Sequence, residues 1–212
     1  MQNFSGRMIQ GILFATLACV AATPARAVVV TFDVTGTFGN TCTPTCKTTG
    51  VYSGTGGSVS LKYFAPVTFS QDVHQYVDIS EGTLQFKVNS PAPTAPVLIN
   101  DAFTLFISAT SPHGTGTASF AGNVSGTYKP GVLGQSGLLT FTGTGSRLYG
   151  GVDMATVSIG DLVFGVRQST ALNLGNLKTT DIKGFVTPEP AESGMLAIAV
   201  LGLSIFLRRK RA

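Results

Sequence analysis

Thr83-Leu-Gln-Phe-Lys-Val88 reads apolar and polar by turns, with Leu84, Phe86 and Val88 two residues apart. Successive side chains of an extended chain point to opposite faces, so this spacing puts all three on one side. It predicts a strand that buries one face and wets the other. The same signature continues in both directions. Upstream, residues 28–38 form a β-branched and aromatic run and residues 58–64 alternate. Downstream, residues 102–108 are more apolar, which predicts a central strand. Further strands are expected at 117–128, 138–144, 155–159, 162–166 and 181–186. Gly and Pro clusters punctuate them, among them Gly54-Thr-Gly-Gly57, Pro91-Ala-Pro-Thr-Ala-Pro96 and Ser111-Pro-His-Gly114. About ten short strands with frequent turn signals predict an all-β body over residues 28–186, a single antiparallel β-sandwich or jelly-roll-like domain. No stretch of it carries a helical period.

Composition agrees. Hydrophobic residues make up 43% and charged residues 11% of the 212, against roughly 25% charged in ordinary soluble chains. There is no tryptophan, and 14 phenylalanines supply aromatic bulk for a core. Threonine is abundant, as its strand propensity predicts. The net charge of +4 does not describe this body. Arg7 and Arg26 lie at the front, and Arg208, Arg209, Lys210 and Arg211 at the end. Between Val28 and Thr187, eight Lys and Arg face eight Asp and Glu. A neutral body without a basic stripe excludes a nucleic-acid partner.

The two ends read as trafficking segments. Arg7 precedes a mostly apolar run over residues 8–22, and Ala25-Arg26-Ala27 offers small residues at both positions of an A-x-A site. This is the layout of a helical secretory signal peptide, residues 1–27, cleaved after Ala27. A lipoprotein anchor at Cys19 is the rival, but Thr16-Leu17-Ala18-Cys19 departs from that pattern at two positions.

At the other end, Pro188-Glu189-Pro190 predicts an extended, accessible joint, because proline fixes the backbone and removes a donor. Residues 194–207 are apolar and uncharged, and Arg208-Arg209-Lys210-Arg211 come next. A helix of that length covers about 21 Å, short of a roughly 30 Å hydrocarbon core. Flanking residues and snorkelling arginines bridge part of the gap, and the basic cluster stays cytoplasmic. A transmembrane helix over about 193–207 is therefore expected, acting as a stop-transfer element.

Pro-Glu-Pro, a short apolar helix and a terminal basic cluster together resemble the PEP-CTERM sorting tail, over residues 187–212. Glu192 beside the apolar run is a departure from the pattern. The resemblance implies processing by exosortase, a membrane-embedded enzyme of Gram-negative bacteria that make extracellular polysaccharide. It implies a membrane-tethered precursor and then a place at the cell surface or in the matrix. It leaves the role of the body open, because sorting tails are joined to unrelated domains.

Candidate chemistry in the body is sparse. Cys42 and Cys46, in Thr41-Cys-Thr-Pro-Thr-Cys46, are expected to form a disulfide in an oxidising compartment. A zinc site lacks two further ligands nearby, and the spacing is not C-x-x-C. Asp72 and His74 fall on one strand face and Asp78 shares it at period two, which offers a partial metal site or an acid-base pair, although the wet face of a strand is the simpler reading. His113 falls in a turn. Asp72, Asp78, Glu81 and Asp101 are the acidic residues from which a glycoside-hydrolase pair would be drawn. Gly134-Gln-Ser-Gly137 misses the G-x-S-x-G elbow, and no Gly-rich segment is placed to cradle phosphate. No cofactor, metal or catalytic site is expected. The expectation is an exported surface or matrix protein with a structural or adhesive role. A carbohydrate-binding module of the exopolysaccharide matrix is the alternative, with Tyr52, Tyr63, Tyr76, Tyr128 and Tyr149 as its candidate platforms. A secreted hydrolase comes third.

Overall fold

A computed structural model describes residues 28–39, 47–73, 76–112 and 114–188. These residues form thirteen strands and no helix. One antiparallel sheet of six strands runs, in spatial order, β12 (Ser169–Asn173), β8 (Ser136–Thr142), β7 (Gly114–Tyr128), β6 (Val97–Ser111), β1 (Val28–Phe38) and β4 (Phe69–Val73). The second, of seven, runs β2 (Thr49–Gly54), β3 (Gly57–Phe64), β5 (Val77–Val88), β13 (Thr179–Pro188), β11 (Leu162–Arg167), β10 (Val152–Ile159) and β9 (Gly145–Tyr149). We call them the six-strand and seven-strand sheets.

Alternation dictates how the two sheets meet. In β6, Val97, Ile99, Phe103, Leu105, Ile107 and Ala109 are buried while Leu98, Asn100 and Thr110 are exposed. In β5, Leu84 and Phe86 are buried, as the opening hexapeptide predicts. The two inner faces share one core. Phe32 of the six-strand sheet meets Phe164 of the seven-strand sheet edge-on, with ring centroids 5.4 Å apart. Tyr63 and Phe103 meet across the same gap at 5.7 Å. Face-to-face packing of this kind is a β-sandwich-like arrangement. Each fully buried Phe or Leu contributes about 1.5–3 kcal/mol by leaving water.

The long β6–β7 hairpin pairs Ser111 with Gly114 around the expected turn. Elsewhere the chain changes sheet repeatedly, as from β8 to β9 and from β11 to β12. The observed strands extend the expected ones. The expected 83–88 strand begins at Val77, and the last strand runs to Pro188, past the expected boundary at 186. Pro188 pairs with Leu162 at the end of its ladder, a position where a missing donor is tolerated.

One expectation is corrected. Asp72 and Asp78 do not share a strand: Asp72 lies on β4 of one sheet and Asp78 on β5 of the other. A two-period reading cannot see a sheet change between them. The signal segment 1–27 with Ala25 and Ala27, Cys42 and Cys46, His74, His113, Glu189 and Pro190, and the tail with Arg208, Arg209, Lys210 and Arg211 lie outside the described residues.

Candidate functional site

The outer face of the seven-strand sheet carries the most concentrated chemistry among the described residues. Register sets which side chains share it. Phe185 pairs with Asp78, and Lys183 with Ser80, across β13 and β5. Asp78 and Ser80 are exposed, so Phe185 also points outward, away from the core. It is nevertheless 0% exposed.

Two tyrosines and a glycine account for this. Gly165 of β11 pairs with Phe185, and a Cβ on Gly165 would collide with the Phe185 ring. Lacking one, Gly165 lets the ring lie down on the sheet. Tyr76, just before β5, and Tyr149, at the end of β9, then cover it, at centroid distances of 4.9 and 5.7 Å. The tyrosines stack on each other at 3.6 Å and 8°. Such aromatic pairs add about 0.5–1.5 kcal/mol beyond area burial.

The Tyr76 hydroxyl donates to Asp78 Oδ1 at 2.9 Å. Burial, reinforced by that bond and the Asp78 charge, pushes the Tyr76 phenol well above its ordinary range. It therefore stays protonated and holds the stack in place. Tyr149 remains 40% exposed.

Beside the stack lies a groove of about 560 Å³, within the range of about 300–1,000 Å³ usual for small-molecule sites. The β9–β10 hairpin lines it with Tyr149, Gly150, Val152 and Met154. β5 supplies Asp78 and Ser80, β13 supplies Asp181 and Lys183, and β11 supplies Arg167. These five polar side chains are exposed. The charges balance, two carboxylates against two cations. The groove can stack a flat apolar face and exchange hydrogen bonds beside it.

The other three tyrosines are not surface platforms. Tyr63 is 3% exposed and donates to the Glu81 carbonyl at 2.8 Å. Tyr52 is half-buried and donates to Asp101 Oδ2 at 3.4 Å. Tyr128 packs against the core beside Phe86. Sequence alone could not rank these five, because the ranking depends on strand order.

The four carboxylates considered for hydrolysis are dispersed. Asp72 is exposed on β4, Asp78 lines the groove, and Asp101 sits under Tyr52. Glu81 is 0% exposed, and neither carboxyl oxygen has a hydrogen-bond partner. It sits at a bulge where the β5–β13 register shifts between Asp181 and Lys183, and Gly82 beside it takes a φ of 106° that favours glycine. Burial drives the Glu81 pKa well above the usual carboxyl value. Among the described residues, no three His, Cys, Asp or Glu gather to hold a metal ion. No helix among them is long and apolar enough to cross a membrane.

No protein-family model, curated protein or solved structure matches this chain.

Proposed function

We propose that this chain is an exported surface or extracellular-matrix protein, processed by exosortase, whose β-sandwich-like body has a structural or adhesive role and no catalytic one. The observation that carries the reading is the ordered tail: Pro188-Glu189-Pro190, an apolar stretch and Arg208-Arg209-Lys210-Arg211, matched by an export signal at the front. The body fits that destination. It is neutral, low in charge and built from paired strands around one core. Pro188, the first residue of the joint, is the last described residue of β13 and pairs with Leu162. Cys42 and Cys46 form a disulfide in that compartment.

Intact mass of the protein recovered from its native cell surface tests this. The expected mass lacks residues 1–27 and the apolar tail, and is lower by about 2 Da than that of the reduced sample, the two hydrogens lost on forming the disulfide. A mature protein that keeps residues 194–212 would overturn the sorting reading.

A second reading has its own support. The Tyr76–Tyr149 stack beside a polar groove favours a carbohydrate-binding body, which would attach the protein to matrix polysaccharide.

A further inference from the structure

Resting on the carbohydrate-binding reading, we propose that the groove on the outer face of the seven-strand sheet binds an uncharged saccharide chain, with one sugar ring seated on the tyrosine stack.

The first argument is apolar. An aromatic ring presents a negative face, and the C–H groups on one side of a pyranose are weakly positive and flat enough to lie on it. Tyr149 supplies a partly exposed ring backed by Tyr76 and Phe185. The platform is held before any ligand arrives, because Phe185 is wedged over Gly165 and Tyr76 is tied to Asp78. A fixed platform lowers the ordering cost of binding.

The second argument is polar. A sugar hydroxyl both donates and accepts, whereas a carboxylate only accepts and Lys and Arg only donate. Asp78 and Asp181 offer acceptors, Lys183 and Arg167 offer donors, and Ser80 offers both. Neighbouring hydroxyls on a sugar need such a mixed set. The same set disfavours charged ligands. A sugar carboxylate or a phosphate entering the groove meets Asp78 and Asp181, and an organic cation meets Lys183 and Arg167. Like charges placed together in a groove cost affinity. The ligand that suits the balance is polyhydroxylated and neutral.

The test uses the full-length chain in a detergent without a sugar headgroup. Retention is measured on immobilised neutral polysaccharides (dextran, galactomannan, mixed-linkage β-glucan) and acidic ones (alginate, polygalacturonate). Tyr149→Ala removes the platform, and Asp181→Ala removes both carboxylate acceptors of that side chain at an exposed position away from the core. Circular dichroism confirms that each variant keeps its strands. We expect retention on at least one neutral polymer. Each variant should weaken it about tenfold, the loss of roughly 1.4 kcal/mol. Undiminished retention in both variants would show that the sugar binds elsewhere and overturn the site. Retention on acidic polymers alone would overturn the neutral ligand while leaving a carbohydrate-binding body standing. Retention on none would remove both.

Discussion

The two outer faces of this molecule are made by the same kind of strand and present opposite surfaces. On the six-strand sheet, small polar groups run in rows. Thr110 pairs with Thr115, Ser108 with Thr117, and Asn123 with Thr140. Asn123 donates to Asn100 at 3.2 Å, and Thr31 and Ser70 are 2.8 Å apart. Among the described residues, the charged side chains on that face are Asp33 and Asp72. On the seven-strand sheet, Phe185, Tyr76 and Tyr149 form an aromatic pile flanked by Asp78, Asp181, Lys183 and Arg167. Strand propensity explains the first face without any ligand, since threonine suits a pleated, wetted surface. It does not explain the second. There an aromatic is buried on the solvent side by a glycine beneath it and two tyrosines above it, and the proposed saccharide site rests on that concentration of special residues.

The difference has a direct energetic consequence. Phe185 and Phe106 both point outward, but Phe185 is fully covered and Phe106 is 37% exposed. Phe185→Ala should cost about 3–5 kcal/mol, the usual result of emptying a buried aromatic site. Phe106→Ala should cost about 1 kcal/mol or less. Urea unfolding tracked by circular dichroism measures both. A loss for Phe185→Ala as small as that for Phe106→Ala would mean that the aromatic pile is surface decoration and that the two faces do not differ in energy.

The contrast extends inward. The one charged residue buried among the described residues is Glu81, and it belongs to the seven-strand sheet. Its folded-state pKa is raised by burial. Below about pH 4.3, the ordinary glutamate value, it is protonated in folded and unfolded chains alike and imposes no ionisation penalty. As pH rises past that value the unfolded chain ionises first, so stability falls with increasing pH until the folded pKa is reached. The limiting slope for one proton is about 1.4 kcal/mol per pH unit. Glu81→Gln keeps the shape and cannot ionise. The stability difference between variant and parent should therefore grow with pH from about 4 upward, read from unfolding midpoints at a series of pH values. A pH-independent difference would show that Glu81 ionises inside the fold with partners that compensate it.

The same physics decides how much of the molecule is legible in its sequence. The hexapeptide 83–88 and its neighbours reveal nearly every interior strand, because a strand with two neighbours and one buried face must alternate. The strands that periodicity misses are β2, β4, β9 and β12, and these are the four edges of the two sheets. An edge has one neighbour and little burial. β9 is exposed at all five positions, Gly145 to Tyr149, so no period can show in it. The groove is half legible for a related reason. Tyr76 and Tyr149 stand out as tyrosines, but Tyr149 sits on one of those hidden edge strands. Phe185 carries the opposite message. It reads as a core residue, and only the register with Asp78 reveals that it faces out. Gly165 gives no signal alone, since its meaning lies in the partner across the ladder. Glu81 ranks among candidate catalytic carboxylates because a sequence does not show the bulge that turns it inward.

The smallest expected effect tests the quiet face. Asn123 lies on β7, a strand with neighbours on both sides, and its side chain donates to Asn100 in full view of water. An exposed neutral hydrogen bond exchanges for water with little net gain, so Asn123→Ala should change stability by no more than about 0.5 kcal/mol. It should also leave retention on neutral polysaccharide unchanged. Unfolding midpoints and the same immobilised polymers measure both. A clear loss of retention would move the binding surface to the six-strand sheet, where Phe106 is a partly exposed ring beside rows of hydroxyls and amides. A clear loss of stability alone would mean that the rows of small polar side chains act as a cooperative network, and the low charge of that face would then be a structural requirement and not a by-product of strand propensity.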